Sequence, residues 1–571
     1  MTTTLDAPRT DAVPPATGWA GLHVHLVWAP PEVDAFLLDV VRPLLDGLRA
    51  AGAVADWFFI RYAEGGPHLR IRVRGAAPAA VAAIAARLRD AVAAGPPPDV
   101  AGCHGEVRDV PYVPETERYG GERATALAED VFCRSTELAL DLLARAPDRA
   151  RRIPVVLDLC AATAGALDME DQEAVRWLRG TALIWRWHQP DGLLPVAAVH
   201  RAAQEAATAR GPAVVRRWST VACAAREGRN GAGALRWAGL VRAARAGLET
   251  AGPRLPRRRW NGVWASQLHM LCNRLGIVPD EERAVAALVG ACLLAPDGPG
   301  AYFDDAADAP DRAYLLASRF VEARMPEQAP RDEPVPERLR RPFPPPGPAT
   351  PLPPPAPLPP GLAAALDRRA SGRGDLGGRV TATALATLLH GAACSTPHRE
   401  RHELSGPRRW PHPSAGAKYV ARLRLAALAV DGVSRGLYDV GETVGDDGTA
   451  RPVLRFVGPA PTATELVGAS MWFCDGAPSG GRIDAATLPA LLGLHVRTDV
   501  ARGAYGQRAL RFALLEAGHL AQDLALVAAA TGLALTTVGG FYDDVAHELL
   551  MLDGLDDVLT YLLPLGAAPG A

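Results

Sequence analysis

A proline-rich segment divides the sequence, because 16 of the 35 residues between positions 326 and 360 are proline. Each proline fixes φ and lacks a backbone donor, so we expect neither helix nor sheet there. An extended, semi-rigid spacer of at most ~100 Å, at about 3.1 Å per residue, is predicted instead. A proline-rich ligand for another protein is the alternative. The linker separates a first body, residues 18–325, from a second body, residues 361–571, and residues 1–17 are expected to be a disordered terminus.

Composition and charge exclude several classes of protein. Hydrophobic residues make up 49% and charged residues 22%, as in folded globular chains. The formal net charge of -2 gives no global field for nucleic acid or a membrane surface. The eight cysteines include no Cys-x-x-Cys pair, so neither a disulfide framework nor a metal site is expected. The first 17 residues do not resemble a signal peptide, and residues 524–542 are interrupted by glycines, so the sequence predicts a cytoplasmic protein with no membrane span.

The first body begins with a change between the two-residue period of strands and the 3.6-residue period of helices. The predicted elements are strand, helix, strand, strand, helix and strand, at residues 22–28, 32–51, 56–62, 68–74, 78–94 and 106–113. This βαββαβ order predicts a small ferredoxin-like α/β sandwich. Amphipathic helical patterns follow to residue 324, so the predicted fold class of this body is α+β.

The second predicted strand of the central pair carries an alternating basic pattern. His68, Arg70, Arg72 and Arg74 fall on one face of a strand, because side chains alternate with a period of two. Guanidinium groups at this spacing suit carboxylates, phosphates or a developing enolate. The alternative interpretation is the solvated outer face of an edge strand.

Two further polar groups lie downstream. Glu115 and Arg118 belong to an acid–arginine cluster that ends in a glycine pair, which suits either a positioned arginine or a structural ion pair in a turn. His269 lies in an apolar helical pattern, where a histidine is more often a satisfied core residue than a functional one.

Taken in order, residues 57–72, 115–121 and 269–275 resemble the glutamate-elimination domain of lantibiotic-type dehydratases, and the resemblance covers roughly residues 18–325. It implies β-elimination of glutamate from glutamylated Ser or Thr in a ribosomally made precursor peptide, leaving dehydroalanine or dehydrobutyrine. It also implies cationic roles for Arg70, Arg72 and Arg118 at the enolate and the glutamate carboxylate. Glu115 would orient these cations or exchange a proton, and His269 would serve the leaving group or the base step.

The resemblance leaves two other activities open for this body. The chain has no room for a glutamylation domain, so a separate tRNA-dependent glutamylating enzyme is an expected partner. Related freestanding domains are the pyridine synthases of thiopeptide pathways, which have little need for a glutamate pocket. A non-catalytic module that binds the peptide is the third interpretation.

The second body carries three groups of candidate cofactor residues. Its predicted elements are helices at residues 362–369, 381–389 and 508–530, strands at 453–458 and 533–538, and a strand or helix at 421–429. Arg369, Ser371 and Arg373 suit a phosphate, although such a pattern is usually surface charge. The small-residue turn at 413–417 and the glycine pair at 539–540 would let a flat ring approach the backbone. Glu516, His519 and Asp523 share a helix as either a packing network or a catalytic group.

In this order the motifs resemble the nitroreductase fold, α+β in class, and more closely the flavin dehydrogenases that oxidise azolines in peptide natural products. The resemblance implies FMN bound between two protomers, hence a homodimer, and oxidation of thiazoline or oxazoline rings supplied by a cyclodehydratase. The implied FMN ligands are Arg369, Ser371 and Arg373 for the phosphate and ribityl chain, and Pro413, Ser414, Gly416, Gly539 and Gly540 along the ring. The family commonly carries a Lys-Tyr pair where this chain has Ala504-Tyr505. Tyr505 is therefore the expected acid/base residue, and the absence of the lysine leaves its proton-transfer partner unidentified. The whole chain is therefore predicted to be a bifunctional tailoring enzyme of a thiopeptide pathway.

Overall fold

The computed structural model describes residues 18–98, 103–146, 148–188, 192–251, 257–295, 314, 347, 349–354, 361–397, 408–476, 478 and 481–567. These residues form two compact units. The first consists of the described residues within Met1–Trp177, Arg210–Val285 and Cys292–Pro296, and the second of those within Leu178–Ala209, Ala286–Ala291 and Asp297–Ala571. The predicted boundary at residues 326–360 lies largely outside the described residues.

The first unit opens with the predicted βαββαβ order. Its elements are β1 (Trp19–His25), α1 (Pro30–Phe36), which continues through a π-helical segment (Leu37–Val41) into α2 (Arg42–Ala50), β2 (Asp56–Tyr62), β3 (His68–Arg74), α3 (Pro78–Ala93) and β4 (Val107–Asp109). The four strands form an antiparallel sheet of order β2-β3-β1-β4, which is the ferredoxin-like arrangement. Because β3 has a strand on each side, the edge-strand interpretation of the basic pattern is wrong.

Alternation along β3 separates an apolar face from a polar one. Leu69, Ile71 and Val73 are fully buried, whereas Arg70 and Arg72 point to the opposite face. Seven helices follow among the described residues up to position 295: α4 (Glu122–Arg145), α5 (Arg152–Ala166), α6 (Asp171–His188), α7 (Val196–Arg226), α8 (Ala234–Ala251), α9 (Arg257–Arg274) and α10 (Pro279–Leu294). They account for the helical pattern predicted after residue 123. Parts of α6, α7 and α10, namely those within Leu178–Ala209 and Ala286–Ala291, belong to the second unit.

Helix α9 is attached to the sheet by hydrogen bonds to the backbone of β2. The Asn273 amide accepts from Arg61 N at 2.8 Å and donates to Arg61 O at 2.9 Å. The Arg274 Nε donates to Phe59 O at 2.7 Å, and Arg274 is fully buried. These contacts fix the helix that carries His269 relative to the strands.

The second unit is built on an antiparallel seven-stranded sheet with helices, in agreement with the predicted α+β class. Its elements are β5 (Ala349–Pro351), α11 (Leu362–Arg368), β6 (Val380–Thr381), α12 (Ala382–Ala393), β7 (Thr396–Pro397), β8 (Arg408–Arg409), β9 (Ala421–Ala427), β10 (Val430–Asp431), β11 (Gly436–Val444), β12 (Ala450–Gly458), α13 (Ala463–Ala469), β13 (Phe473–Cys474), β14 (Ile483–Asp484), β15 (Ala490–Arg497), α14 (Thr498–Tyr505), α15 (Ala509–Ala530), β16 (Leu533–Leu535), α16 (Asp543–Leu549) and β17 (Asp557–Ala567). The sheet order is β16-β17-β15-β9-β11-β12-β5. The ambiguous pattern at 421–429 is therefore strand β9, near the middle of the sheet.

Part of the proline-rich segment belongs to this sheet. Strand β5 pairs antiparallel with β12, and Leu352 beyond it is buried in the core. The prediction that no sheet forms between residues 326 and 360 is wrong for β5, because an edge strand needs donors on one side only and tolerates a terminal proline. Most other residues of the segment lie outside the described part of the chain.

One described helix, α15, is long and apolar enough to cross a membrane by length and composition. Ala513, Ala517 and Leu524 of this helix are buried in the core of the second unit, against the sheet and α12. Residues 524–542, the stretch expected to be a buried helix and turn, comprise the end of α15, strand β16 and the following loop.

Candidate functional site

The polar face of the first sheet holds two arginines without carboxylate partners. The Arg70 guanidinium stacks on Tyr62, with Cζ 3.4 Å from the ring centroid, and its Nε donates to His68 Nε2 at 3.2 Å. The Arg72 Nη2 lies 3.2 Å from His23 Nε2, and the residue is only 5% exposed. Within the described residues neither arginine forms an ion pair. Both cations are therefore held by neutral acceptors.

The two histidines are kept neutral by their surroundings. Burial and the adjacent Arg72 lower the pKa of His23 to about 4, and burial also lowers the pKa of His68. The Gly66 carbonyl lies 2.8 Å from His68 Nδ1 and can only accept, so Nδ1 carries the proton and Nε2 accepts from Arg70. A neutral imidazole orients a guanidinium without cancelling its charge, which leaves both cations available to an anionic ligand.

Arg72 is packed so tightly that it requires a glycine beside it. A Cβ on Gly21, which faces Arg72 across β1 and β3, would lie 2.6 Å from Arg72 Nη1 and 2.3 Å from the Val110 carbonyl oxygen. The same Nη1 is buried with no hydrogen-bond partner. Burial, followed by the proximity of Arg70, lowers the pKa of Arg72 to about 10, so it remains a cation at neutral pH. An unsatisfied buried donor of this kind suits a ligand oxygen.

Glu115, Arg118 and His269 form a second cluster. Arg118 Nη1 donates to Glu115 at 2.9 Å, and its Nε donates to Ser266 Oγ at 3.1 Å. Ser266 and His269 lie one turn apart on α9, and His269 Nδ1 contacts Glu282 Oε1 at 2.9 Å. The structure thus brings together the three residues that the sequence suggested separately, while their chemical roles stay predictions.

Aromatic side chains connect the neighbourhoods of the two clusters. Phe58, opposite Arg72 in the sheet, packs on Phe132 at 5.3 Å between ring centroids, and Phe132 packs on Tyr119 at 5.0 Å. The Arg72 Cζ lies 5.5 Å from the Tyr112 ring, which also contacts Phe58 at 6.0 Å. Both clusters therefore adjoin one continuous aromatic wall.

Several residues of this site were not singled out from the sequence. His23 follows from the alternating pattern of β1, but its pairing with β3 could not be read from the pattern alone. Ser266 and Glu282 had no local signal, since they reach Arg118 and His269 only through the packing of α9 and α10. Among the described residues no three His, Cys, Asp or Glu side chains are placed to hold a metal ion.

In the second unit, the predicted ring-binding turn meets the predicted acid/base residue. Gly416 has φ of 53°, and a Cβ there would lie 2.1 Å from the Tyr505 hydroxyl oxygen. Ser414 donates its hydroxyl to Glu516 and accepts from Tyr419 N at 2.8 Å. Glu516, buried at 3% exposure, also accepts from the backbone, and burial raises its pKa. Glu516 thus ties α15 to the 413–417 turn and to the start of β9.

The remaining candidate cofactor residues lie along another edge of this unit. Ser371 bridges Leu535 at the end of β16, and Gly372 N donates to Leu535 O at 3.2 Å. The loop after β16 leads to Gly539 and Gly540, and a Cβ on Gly540 would lie 3.0 Å from Trp472 Nε1.

Arg369 and Arg373 flank the Ser371 bridge, and neither forms an ion pair within the described residues. A Cβ on Gly481 would lie 3.1 Å from the Arg373 Nη1. The structure thus places Ser371 beside the end of β16, the strand from which the loop to Gly539 and Gly540 continues, and Gly416 beside Tyr505.

Two family models match the chain. The lantibiotic biosynthesis dehydratase C-terminal model matches residues 19–293, and the nitroreductase family model matches residues 481–567. A curated relative, a putative nitroreductase (MJ1384) of Methanocaldococcus jannaschii, is 24% identical over 24% of this chain. The match spans 63% of that protein's length, less than two thirds.

Solved structures include similar chains from peptide biosynthesis. The pyridine synthase TbtD from thiomuracin biosynthesis is 22% identical, with a TM-score of 0.40, and the match covers 49% of this chain and 98% of that one. The tRNA-dependent lantibiotic dehydratase MibB from Microbispora sp. 107891 is 23% identical, with a TM-score of 0.35, over 50% of this chain and 29% of that one. The chain joins a lantibiotic dehydratase C-terminal domain to a nitroreductase domain.

Proposed function

We propose that the first unit eliminates glutamate from glutamylated Ser or Thr residues of a ribosomally made peptide. The observation that carries the proposal is the pair Arg70 and Arg72, two uncompensated cations on a sheet face, held by neutral histidines. In the elimination, a base removes the Cα proton, the Cα–Cβ double bond forms, and the Cβ–O bond breaks to release glutamate. Negative charge gathers on the peptide carbonyl and on the departing carboxylate, where preorganised guanidinium groups stabilise it.

The second cluster supplies proton transfer and a further cation. Arg118 would bind the substrate carboxylate, with Glu115 and Ser266 fixing the direction of its guanidinium. His269 would exchange the proton, and the Glu282 carboxylate at 2.9 Å would orient its ring.

The test of this activity uses variants of the full chain with a glutamylated peptide and intact-mass analysis. Arg70→Ala should accumulate the glutamyl adduct while azoline oxidation continues. Arg74→Ala is the matched control, because Arg74 lies on the same strand but is already ion-paired with Asp130 at 2.8 Å. Loss of azoline oxidation together with elimination in Arg70→Ala would favour a peptide-binding module. Normal elimination with failed cyclisation of a bis-dehydroalanine peptide would favour a pyridine synthase.

We infer that the second unit binds FMN and oxidises azolines to azoles. Its residues fit the cofactor: Arg369 and Arg373 lie near Ser371 and form no ion pair with any described residue, which leaves both cations available to a phosphate. Gly539 and Gly540, like Gly416, offer backbone where a side chain would obstruct a flat ring. Bound FMN would supply the hydride acceptor. Tyr505, whose hydroxyl lies against Gly416, would hold or move the second proton.

The partners of the proposed enzyme follow from its chemistry. The substrate is a precursor peptide that a separate tRNA-dependent enzyme glutamylates and a cyclodehydratase furnishes with azolines, in the cytoplasm. A homodimer through the flavin unit is supported by exposed leucines on the packed helices α11 and α15, namely Leu362, Leu366, Leu510, Leu514 and Leu515. Size-exclusion chromatography with light scattering tests the dimer, and the visible spectrum of the purified chain tests FMN. A colourless chain that takes up no FMN would contradict the oxidase activity.

A further inference from the structure

The second unit contains a cavity of about 220 Å³ between α12, β9, β11 and α15. The apolar part of the cavity wall includes Leu389, Leu423 and Val440. The side chains of Trp410, His412 and Tyr419 also line the cavity, and each carries a polar atom. His412 immediately precedes the 413–417 turn, so the cavity adjoins the surface expected to face the flavin ring.

His412 is a buried polar residue of the cavity wall. The side chain is 4% exposed, and within the part of the chain that the structure describes neither ring nitrogen has a hydrogen-bond partner. The nearest carboxylate oxygen, on Glu516, lies 3.9 Å from Nε2 and already accepts from Ala421 N at 2.7 Å. Leaving such a group unsatisfied costs about 1–3 kcal/mol, which a ligand in the cavity would recover.

Tyr419 is held toward the same cavity in an unfavourable backbone conformation. Its φ is +47°, a region that costs a non-glycine residue roughly 1–2 kcal/mol. Its backbone N–H donates to Ser414 Oγ, and its ring packs on Trp410 at 4.3 Å and on His412 at 5.7 Å between centroids. Strain of this kind is typical of functional sites, and here it assembles three rings along one wall.

The charged residues at the wall are already bonded. Glu442 accepts from Ser395 N at 2.7 Å and from Ser395 Oγ at 2.6 Å. Arg422 Nη1 donates to the Ala421 carbonyl oxygen at 3.0 Å. Among the described lining residues, the buried side-chain nitrogens left without a hydrogen-bond partner are the two of the His412 imidazole, one donor and one acceptor, which match a flat heterocycle that carries a ring nitrogen.

We propose that this cavity is the ring-binding pocket of the flavin unit, and that it takes the five-membered azoline or azole ring of the peptide. The ring packs against Trp410 and Tyr419, and a His412 N–H donates to its ring nitrogen. This assignment rests on the proposed azoline oxidation and names the residues that choose its substrate.

The experiment measures binding rather than turnover. A short peptide containing one thiazole is titrated calorimetrically into the full chain, beside the same peptide with phenyl in place of thiazole. Wild type should prefer the thiazole, and His412→Leu should weaken thiazole binding at least about tenfold, the equivalent of about 1.4 kcal/mol. His390→Leu is the matched control: His390 is bonded to Ala450 O at 3.0 Å, does not line the cavity, and should change affinity less than about twofold.

A second variant, Ala393→Phe, fills the cavity from α12 and should abolish thiazole binding even if the His412 variant fails to fold. Three results would overturn the assignment. They are equal affinity for the thiazole and phenyl peptides, unchanged thiazole affinity in either variant, and displacement of the thiazole peptide by equimolar FMN. If thiazole binds as described but no azoline is ever oxidised, the proposed function fails while the pocket stands. If azolines are oxidised but His412→Leu binds normally, the pocket fails while the function stands.

Discussion

The substitution Gly21→Ala tests the arginine site without altering any charge. The new Cβ would meet two atoms, Val110 O at 2.3 Å and Arg72 Nη1 at 2.6 Å. The first is backbone and also fixed, since Val110 N donates to Gly21 O at 2.9 Å, so the chain after β4 must shift at a cost of about 1–3 kcal/mol in stability. The second is the end of a side chain, and the guanidinium must move away from the sheet face.

The catalytic loss follows from that displacement. A hydrogen bond to a charged group contributes about 1.5–3 kcal/mol, so losing one in the transition state lowers kcat/KM for glutamate elimination by roughly 10- to 100-fold. The assay is the initial rate of glutamate release, with the folded fraction measured by circular dichroism. Gly47→Ala is the control, because Gly47 lies inside α2 with no atom within 4 Å of the new Cβ. A folded Gly21→Ala chain that releases glutamate at the wild-type rate would refute the role given to Arg72.

Three further predictions concern charge, coupling and pH. His23→Glu should lower kcat/KM for elimination at least tenfold. The reason is that a carboxylate about 4 Å from Arg72, at an effective dielectric constant of about 20, attracts the guanidinium by ~4 kcal/mol and competes with the substrate. His23→Gln, which adds no charge, should keep kcat/KM within about threefold of wild type, and steady-state kinetics of the two variants test the difference. Gly416→Ala should destabilise the second unit less in the Tyr505→Phe variant than in wild type. The reason is that Tyr505→Phe removes the hydroxyl oxygen that would lie 2.1 Å from the new Cβ. Urea unfolding of the two single variants and the double variant measures the coupling energy. Burial, followed by a nearby arginine, lowers the pKa of His547 to about 4, so the unfolded chain binds more protons between pH ~6.5 and 4. As the pH is lowered from ~6.5 to 4, the free energy of unfolding should therefore fall by up to about 1.4 kcal/mol per pH unit. The decrease should be shallower in His547→Gln, and urea unfolding at several pH values measures both slopes.

The local patterns of the first unit predicted strands β2 and β3 at their observed bounds, and in β3 the apolar residues alternate with His68, Arg70, Arg72 and Arg74. Strand β1 begins and ends three residues earlier than predicted, and β4 comprises three of the eight residues predicted for it. The edge or central position of β3 could not be predicted, since it depends on pairing with β1, a long-range contact. For the same reason the pairing of Arg72 with His23 was not foreseeable.

The second unit shows a different limit. The pattern at 421–429 was ambiguous because a short apolar run suits a buried strand and a buried helix equally, and only its neighbours in the sheet decide for β9. The high proline content around residues 349–351 led to the prediction of an extended linker, where the structure has the edge strand β5. His412 had no sequence signal at all, because its isolation from hydrogen-bond partners arises from packing around the cavity.

The Arg70–Arg72 face is the proposed elimination centre of the first unit. The most direct measurement follows a glutamylated peptide incubated with the wild-type chain, by intact mass and by quantifying free glutamate. We expect one glutamate to be released for each dehydroalanine or dehydrobutyrine formed. A glutamyl adduct that persists unchanged through the incubation, with the chain fully folded, would contradict it.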